Sequence, residues 1–222
     1  MQDNLDEDVK FINQAMSKVP DYSRVTEFIP GPGIHKLKLK FDIKKLRNDL
    51  KILQSKNKSQ NKQNEYGFGV YPLTQRPGQK EWTENDLSGR YWIRGDKRYK
   101  EEPREKLIEE KQFSEFNPKL KRTYFEEVYT ELVKRFPIGR MRILSKGIYN
   151  CNSWHRDPEP RIHIPIETNP GSLFIVNHHL THLPADGSVY FTDTRGYHTA
   201  INGGEATRIH IVAALAYEQI KN

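Results

Sequence analysis

With 222 residues the chain is long enough for one good hydrophobic core, so a single compact unit, alone or with a helical extension, is the expected organisation. A hydrophobic share of 35% against 29% charged residues is polar, yet 11 Tyr, 10 Phe and 3 Trp supply the aromatic bulk that disordered chains lack. No apolar run nears the roughly 18 residues of a membrane span, the acidic start MQDNLDEDVK is unlike a secretory signal, and one cysteine, Cys151, makes no internal disulfide, so a cytoplasmic protein without a membrane partner is expected.

The net charge of +7 is uneven: from Ile138 onward eight Lys and Arg meet seven Asp and Glu, which leaves about +6 on residues 1–137. A basic half invites nucleic-acid phosphates as partners. Here the lysines are interleaved with Glu and Gln, the pattern of solvated helix faces, and that reading is preferred.

In chain order, Leu5, Val9, Ile12, Met16 and Val19 recur at helical spacing up to Pro20 and predict an amphipathic helix. IHKLKLKFDI changes the period to two, with Leu37, Leu39 and Phe41 between lysines, which predicts a half-buried strand. Asp42 is placed to cap a helix with Ile43, Leu46, Leu50 and Leu53 on one face, and the wholly polar stretch from Ser55 to Glu65 reads as a loop. YGFGVYPL reads as a strand, Pro103 as the start of a helix through about Phe116, and Pro118 to Phe136 as a second helix ended by Pro137.

Beyond that point the helical period disappears. RMRILSKG, RIHIPIET, SLFIVNHH, SVYFTD, HTAIN and TRIHIVAALAY are short strand-like runs separated by Gly, Pro, Asn and Asp, the pattern of a β-sandwich or barrel. The expected class is therefore α+β with a mainly β core. Residues 1–137 would form a mixed helical and strand region supporting the core, with its helices packed on the sheet, and residues 138–222 the core itself, in one structural domain overall.

The chemistry-bearing residues lie in that second half. In His155-Arg156-Asp157 a two-residue spacing points an imidazole and a carboxylate the same way from extended chain. His198 opens a later strand, and two or three strands in between would bring it back to them. Two His and one carboxylate leave the opposite face of an octahedral ion open, which is the ligand set of non-haem Fe(II) oxygenases. Arg208, ten residues after His198, alternates with Ile209 so that its guanidinium would enter the barrel, where a planar fork suits the far carboxylate of a chelated 2-oxo acid. Arg-Ile-His-Ile occurs again at 161–164, which offers Arg161 and His163 as a second inward basic pair.

Each piece has a plainer reading. A lone His-x-Asp spacing arises often by chance, Arg161 and Arg208 are alternatively structural ion pairs with Glu167 or Glu205, and His163 and His210 are alternatively satisfied core histidines, the preferred reading for His210. His-Arg-Asp also spells the kinase catalytic-loop triplet, but Ile162 stands where that loop needs Asn. His178, His179 and His182 lack the spacing and the cysteines of a zinc site and are expected at the rim or in solvent, while Cys151 is expected as inert packing.

In the order RMRILSKG, WHRD, RIHIPIETNPGSLF, YFTDTRGYHTAIN and TRIHIV, the segment from about Arg140 to Leu215 resembles the aspartyl/asparaginyl β-hydroxylase family of 2-oxoglutarate oxygenases, in the wide sense that includes hydroxylases of free amino acids such as proline. The resemblance implies a double-stranded β-helix (jelly roll, cupin-like), with Fe(II) on His155, Asp157 and His198. It implies further that 2-oxoglutarate is held by Arg208, with Arg161 and His163 near its metal-binding end and Arg142 facing the site. The implied activity is hydroxylation of an amino-acid side chain, free or within a peptide or protein, with release of succinate and CO2. Two alternatives stand beside it: an oxygenase that modifies nucleic acid, and a jelly-roll module that binds a metal or anion without turnover.

Overall fold

A computed structural model of the protein describes residues 2–18, 33–56, 68–89, 92–94, 101–103, 108–176 and 179–216. In chain order the elements are α1 (Gln2–Ser17), β1 (Ile34–Lys40), α2 (Ile43–Lys56), β2 (Phe68–Pro72), β3 (Thr74–Gln75), α3 (Glu84–Leu87), β4 (Trp92–Arg94), β5 (Glu101–Pro103), β6 (Glu115–Phe116) and α4 (Tyr124–Val133). A run of strands follows: β7 (Ile138–Lys146), β8 (Asn150–Cys151), β9 (His155–Arg156), β10 (Arg161–Glu167), β11 (Ser172–Val176), β12 (His179–Thr181), β13 (Ser188–Thr192), β14 (His198–Asn202) and β15 (Arg208–Leu215).

The strands form two main antiparallel sheets. The first has the order β1-β13-β10-β15-β7-β2, and the second β12-β11-β14-β9-β4-β5, with β8 beside β14. From β7 onward the chain alternates between them: β7 in the first, β8 and β9 in the second, β10 in the first, β11 and β12 in the second, then β13, β14 and β15 in turn. This alternation is the double-stranded β-helix, and the class is α+β with a mainly β core. The first 137 residues contribute β1 and β2 to the edges of one sheet and β4 and β5 to the other.

The two-residue period of the strands divides the first sheet into two unlike faces. Met141, Ile143, Ile162, Ile164, Ile166, Val189, Phe191, Ile209, Ile211 and Ala213 share one hydrophobic cluster with Ile12 of α1, Leu46, Leu50 and Leu53 of α2, and Phe125, Val128 and Leu132 of α4. The alternate positions of the same strands carry Arg140, Arg142, Lys146, Arg161, His163, Arg208 and His210, all buried, and these line the space between the sheets. The helices thus cover the apolar face and leave the polar face to build a site.

Several predicted elements stand where expected. β1 follows the Leu37/Leu39 alternation, Asp42 Oδ1 accepts the amide hydrogens of Lys44 and Lys45 at 2.8 and 3.2 Å, and α2 buries Leu46, Leu50 and Leu53. α1 ends at Ser17, and α2 runs through Lys56 into the stretch expected as loop, whose remainder, 57–65, lies outside the described residues.

Two helices differ from expectation. Pro103 ends β5, and the described residues 108–116 hold a single 3-10 turn at Glu110–Gln112 followed by β6. The reason is tertiary: Glu110 turns inward to two arginines, and the Phe113 ring lies 4.1 Å beneath the Arg140 guanidinium, an arrangement a continuous helix would not allow. The segment from Pro118 to Phe136 begins as a 3-10 turn and breaks at Arg122, whose φ is 64°. There the Arg122 amide donates to Glu126 Oε2 at 2.6 Å and the Tyr124 amide to Asp49 Oδ2 at 2.6 Å, so α4 starts two residues later on a cap borrowed from α2.

Candidate metal centre

His155 and His198 are directly opposite one another on β9 and β14, and Asp157 follows the end of β9. One ligand atom from each of the three lies within 4.8 Å of the others, and the two imidazole centroids are 4.3 Å apart. Each ring is held from behind: Nδ1 of His155 lies 2.6 Å from the Ser153 carbonyl oxygen and Nδ1 of His198 lies 3.1 Å from that of Gly196. Donating Nδ1–H to those carbonyls leaves the Nε2 lone pairs pointed at the shared space, the tautomer a metal ligand needs.

Protonation states agree. Burial alone would raise the Asp157 carboxyl, but the Arg161 guanidinium and the two imidazoles outweigh it and hold the group down at about 2. Burial, with His155 alongside, pushes His198 down to about 4. At neutral pH Asp157 is a carboxylate and His198 a neutral base. Two imidazole nitrogens and one carboxylate oxygen, converging and anchored, fit a divalent transition-metal ion.

Arg161 Nε donates to Asp157 Oδ2 at 3.0 Å, and its Nη1 lies 3.7 Å from Glu110 Oε1. Glu110 also faces Arg140 Nε at 3.3 Å. The ion pair anticipated for Arg161 is real, with Asp157 and Glu110 in place of Glu167. Arg142, on the same inward row, donates from Nη1 to the Leu87 carbonyl at 2.5 Å, while its buried Nε has no hydrogen-bond partner among the described residues. Burial, with Arg140 and Arg161 nearby, brings its guanidinium down to about 9. A Cβ on Gly89 would stand 3.1 Å from Arg161 Nη2 and 3.4 Å from Arg142 Nη2, so the glycine lets the backbone lie close over both guanidinium ends.

At the other end of the pocket, Arg208 Nε donates to His210 Nε2 at 3.1 Å, and His210 Nδ1 lies 3.4 Å from His163 Nδ1. Burial, and then Arg208, drives both histidines well below their ordinary range, so both are neutral. Among the described residues no carboxylate lies within ion-pair distance of Arg208, and burial brings its guanidinium down to about 10. Glu205, the partner considered for it, instead accepts a hydrogen bond from Tyr149 Oη at 3.0 Å.

Three site residues carry no sequence signal. Phe174 of β11 stacks on His198 (5.8 Å, 13°), meets His163 edge-on at 5.1 Å and lies 6.0 Å from the Arg208 guanidinium, so its ring spans the space between the triad and that cation. Glu110 sits in a run of alternating charges, and Lys146 in a strand with two arginines. Only the inward face of the folded sheet distinguishes them from surface charge. Cys151, expected to be buried, is exposed on the two-residue strand β8. His179 and His182 are exposed and His178 lies outside the described residues. Among those residues the triad is the one His, Cys, Asp and Glu group close enough to share an ion.

Comparison with known proteins gives little further. No family model matches the sequence, and no curated protein does. Among solved structures, an oxidoreductase of the 2OG-Fe(II) oxygenase family from Burkholderia pseudomallei superposes with a TM-score of 0.47 at 15% identity, over 83% of this chain and 84% of that one. AviO1 from Streptomyces viridochromogenes Tue57 gives 0.43 at 14% identity, over 91% and 98%. Scores this low assign no activity, and the reading of the site rests on its own residues. No helix among the described residues is long and apolar enough to cross a membrane.

Proposed function

We propose that the protein is an Fe(II)- and 2-oxoglutarate-dependent oxygenase that hydroxylates an amino-acid side chain, free or in a peptide. The observation that carries this reading is the pairing of two features across one pocket. One is the His155/Asp157/His198 donor set with both rings anchored through Nδ1. The other is a buried Arg208 guanidinium with no carboxylate within ion-pair distance among the described residues.

When bound, Fe(II) with 2-oxoglutarate and oxygen supplies oxidative attack on an unactivated C–H bond, with release of succinate and CO2. His155, Asp157 and His198 hold the ion from one side. Arg161 keeps Asp157 ionised and oriented. Arg208 takes the distal carboxylate of the 2-oxo acid, and Phe174 keeps water from the space between. His163, neutral and beside Phe174, lines the path between Arg208 and the metal. Arg142, with the Nη2 end of Arg161 beside it under Gly89, is placed to receive a carboxylate or amide of the substrate, which supports an amino-acid substrate.

The test is succinate formation from 2-oxoglutarate with Fe(II), together with a mass-spectrometric screen of amino acids and peptides for a 16 Da gain. His155→Ala and Asp157→Ala are expected to abolish turnover with an unchanged circular dichroism spectrum. Undiminished succinate formation in either variant refutes the reading.

A further inference from the structure

The loop 193–197 carries the chain from β13 in the first sheet to β14 in the second, and its backbone holds two of the three triad residues. The Thr194 carbonyl accepts the Asp157 amide hydrogen at 2.7 Å, and the Gly196 carbonyl oxygen lies 3.1 Å from His198 Nδ1. The Thr194 hydroxyl donates to the Glu159 carbonyl at 2.9 Å, which ties the loop to the chain just beyond Asp157. His155 is held by Ser153 on a different segment. A shift of the loop therefore moves one imidazole and the carboxylate relative to the other imidazole.

Arg195 stands in the middle of that loop, and its buried guanidinium reaches α1. Nη1 donates to the Lys18 carbonyl at 2.8 Å and Nη2 to the Ala15 carbonyl at 3.1 Å, while Nε and Nη2 hold the two oxygens of Asp193 at 2.7 and 2.8 Å. The last carbonyls of a helix have no partner within it, and the negative end of its dipole attracts a cation. α1 has no basic residue in its own last turn, so Arg195 supplies that cation from across the fold. Its rigid fork addresses the loop and the helix end together. The helix is a firm anchor, because Asp8 fastens it separately to β1.

We propose that Arg195 is a positioning residue for the metal centre: by gripping the end of α1 it fixes the loop on which Asp157 and His198 depend. The inference rests on the metal centre of the oxygenase reading above. It gives α1, which packs on the apolar side of the first sheet, a part in holding the ion. The coupling is reciprocal, since whatever factor the docked helix adds to metal affinity, the metal adds to docking of the helix.

A narrower role for Arg195 is to close α1 and stabilise the fold with no effect on the ion. The two roles separate in metal affinity measured on folded protein. Apoprotein is titrated with Co(II) against a competing chelator, and the visible absorption of bound Co(II) reports the coordination geometry.

Arg195→Met, which keeps the length and loses every donor, is expected to bind Co(II) about tenfold more weakly and with an altered spectrum, the lower end of what is lost with a partner that orients a ligand. Arg195→Lys, which keeps a cation at the end of α1, is expected to recover most of the affinity. Wild-type affinity in the methionine variant, or equal loss in the methionine and lysine variants, overturns the proposal. A second measurement needs no variant: in the wild-type protein Zn(II) is expected to slow amide exchange in α1 more than in α2, and equal effects on the two helices overturn the coupling. Failure of the wild-type protein to bind Co(II) overturns the metal centre itself.

Discussion

Arg161 joins the His155/Asp157/His198 triad to the charged interior, because one guanidinium serves Asp157 through Nε at 3.0 Å and Glu110 through Nη1 at 3.7 Å. Burial works against its charge, but Asp157 and Glu110 outweigh it and raise its pKa above the ordinary arginine value. A lysine in its place keeps one positive charge but has no planar fork to address two carboxylates at fixed angles. Arg161→Lys is therefore expected to lower Fe(II) affinity by roughly 10–100-fold, the usual effect of losing a partner that orients a ligand. A competitive chelator titration measures it, and an affinity equal to wild type would show that Asp157 is positioned without Arg161. At this scale the triad was legible in the sequence, because two-residue spacing and a strand-opening histidine are local patterns. Lys146, Phe174 and Glu110 were not, because nothing within a few residues of each tells an inward position from an outward one.

Among the elements, α1 is tied to β1 by a buried carboxylate. β1 is an edge strand, and its register with β13 shifts between Lys36 and Lys40, which leaves part of its backbone out of the ladder. Asp8 of α1 meets that bulge: its two carboxylate oxygens accept the amide hydrogens of Lys38 and Leu39, each at 2.8 Å, and the side chain is buried. Phe11, one turn along, stacks on His35 at 4.0 Å and meets Phe191 edge-on. Asp8→Ala strands two amides in a dry interface and is expected to lose about 1–3 kcal/mol, or more since the acceptor is charged. Urea unfolding gives the value, and a change below about 0.5 kcal/mol would mean that water replaces the carboxylate. The helical period of α1 and the alternation of β1 were both readable in sequence. The contact between them was not, since an aspartate in an acidic leader has the look of a solvated charge.

Across the whole molecule, the period-two pattern that made the jelly roll legible also hid its main peculiarity. Strands reading Arg-Met-Arg-Ile and Arg-Ile-His-Ile look half-solvated, whereas both faces of this sheet are buried, the isoleucines under helices and the basic residues inside the barrel. The interior is thus held by charge compensation as well as packing, and Glu110 is its hinge. Among the described residues neither carboxylate oxygen of Glu110 accepts a hydrogen bond, so its contribution is its charge, shared between Arg140 and Arg161. Glu110→Gln leaves those two buried guanidiniums facing a neutral amide and is expected to cost about 3–5 kcal/mol, the range for breaking a buried ion pair from one side. Removing one cation as well reverses part of that loss. The double variant Glu110→Gln/Arg140→Met, in which a flexible apolar chain can fill the space over Phe113, is expected to be more stable than the single variant in urea. If the double variant is no more stable than the single one, the arginine row is held by its hydrogen bonds to the Asn85 and Ile108 carbonyls and not by the Glu110 charge.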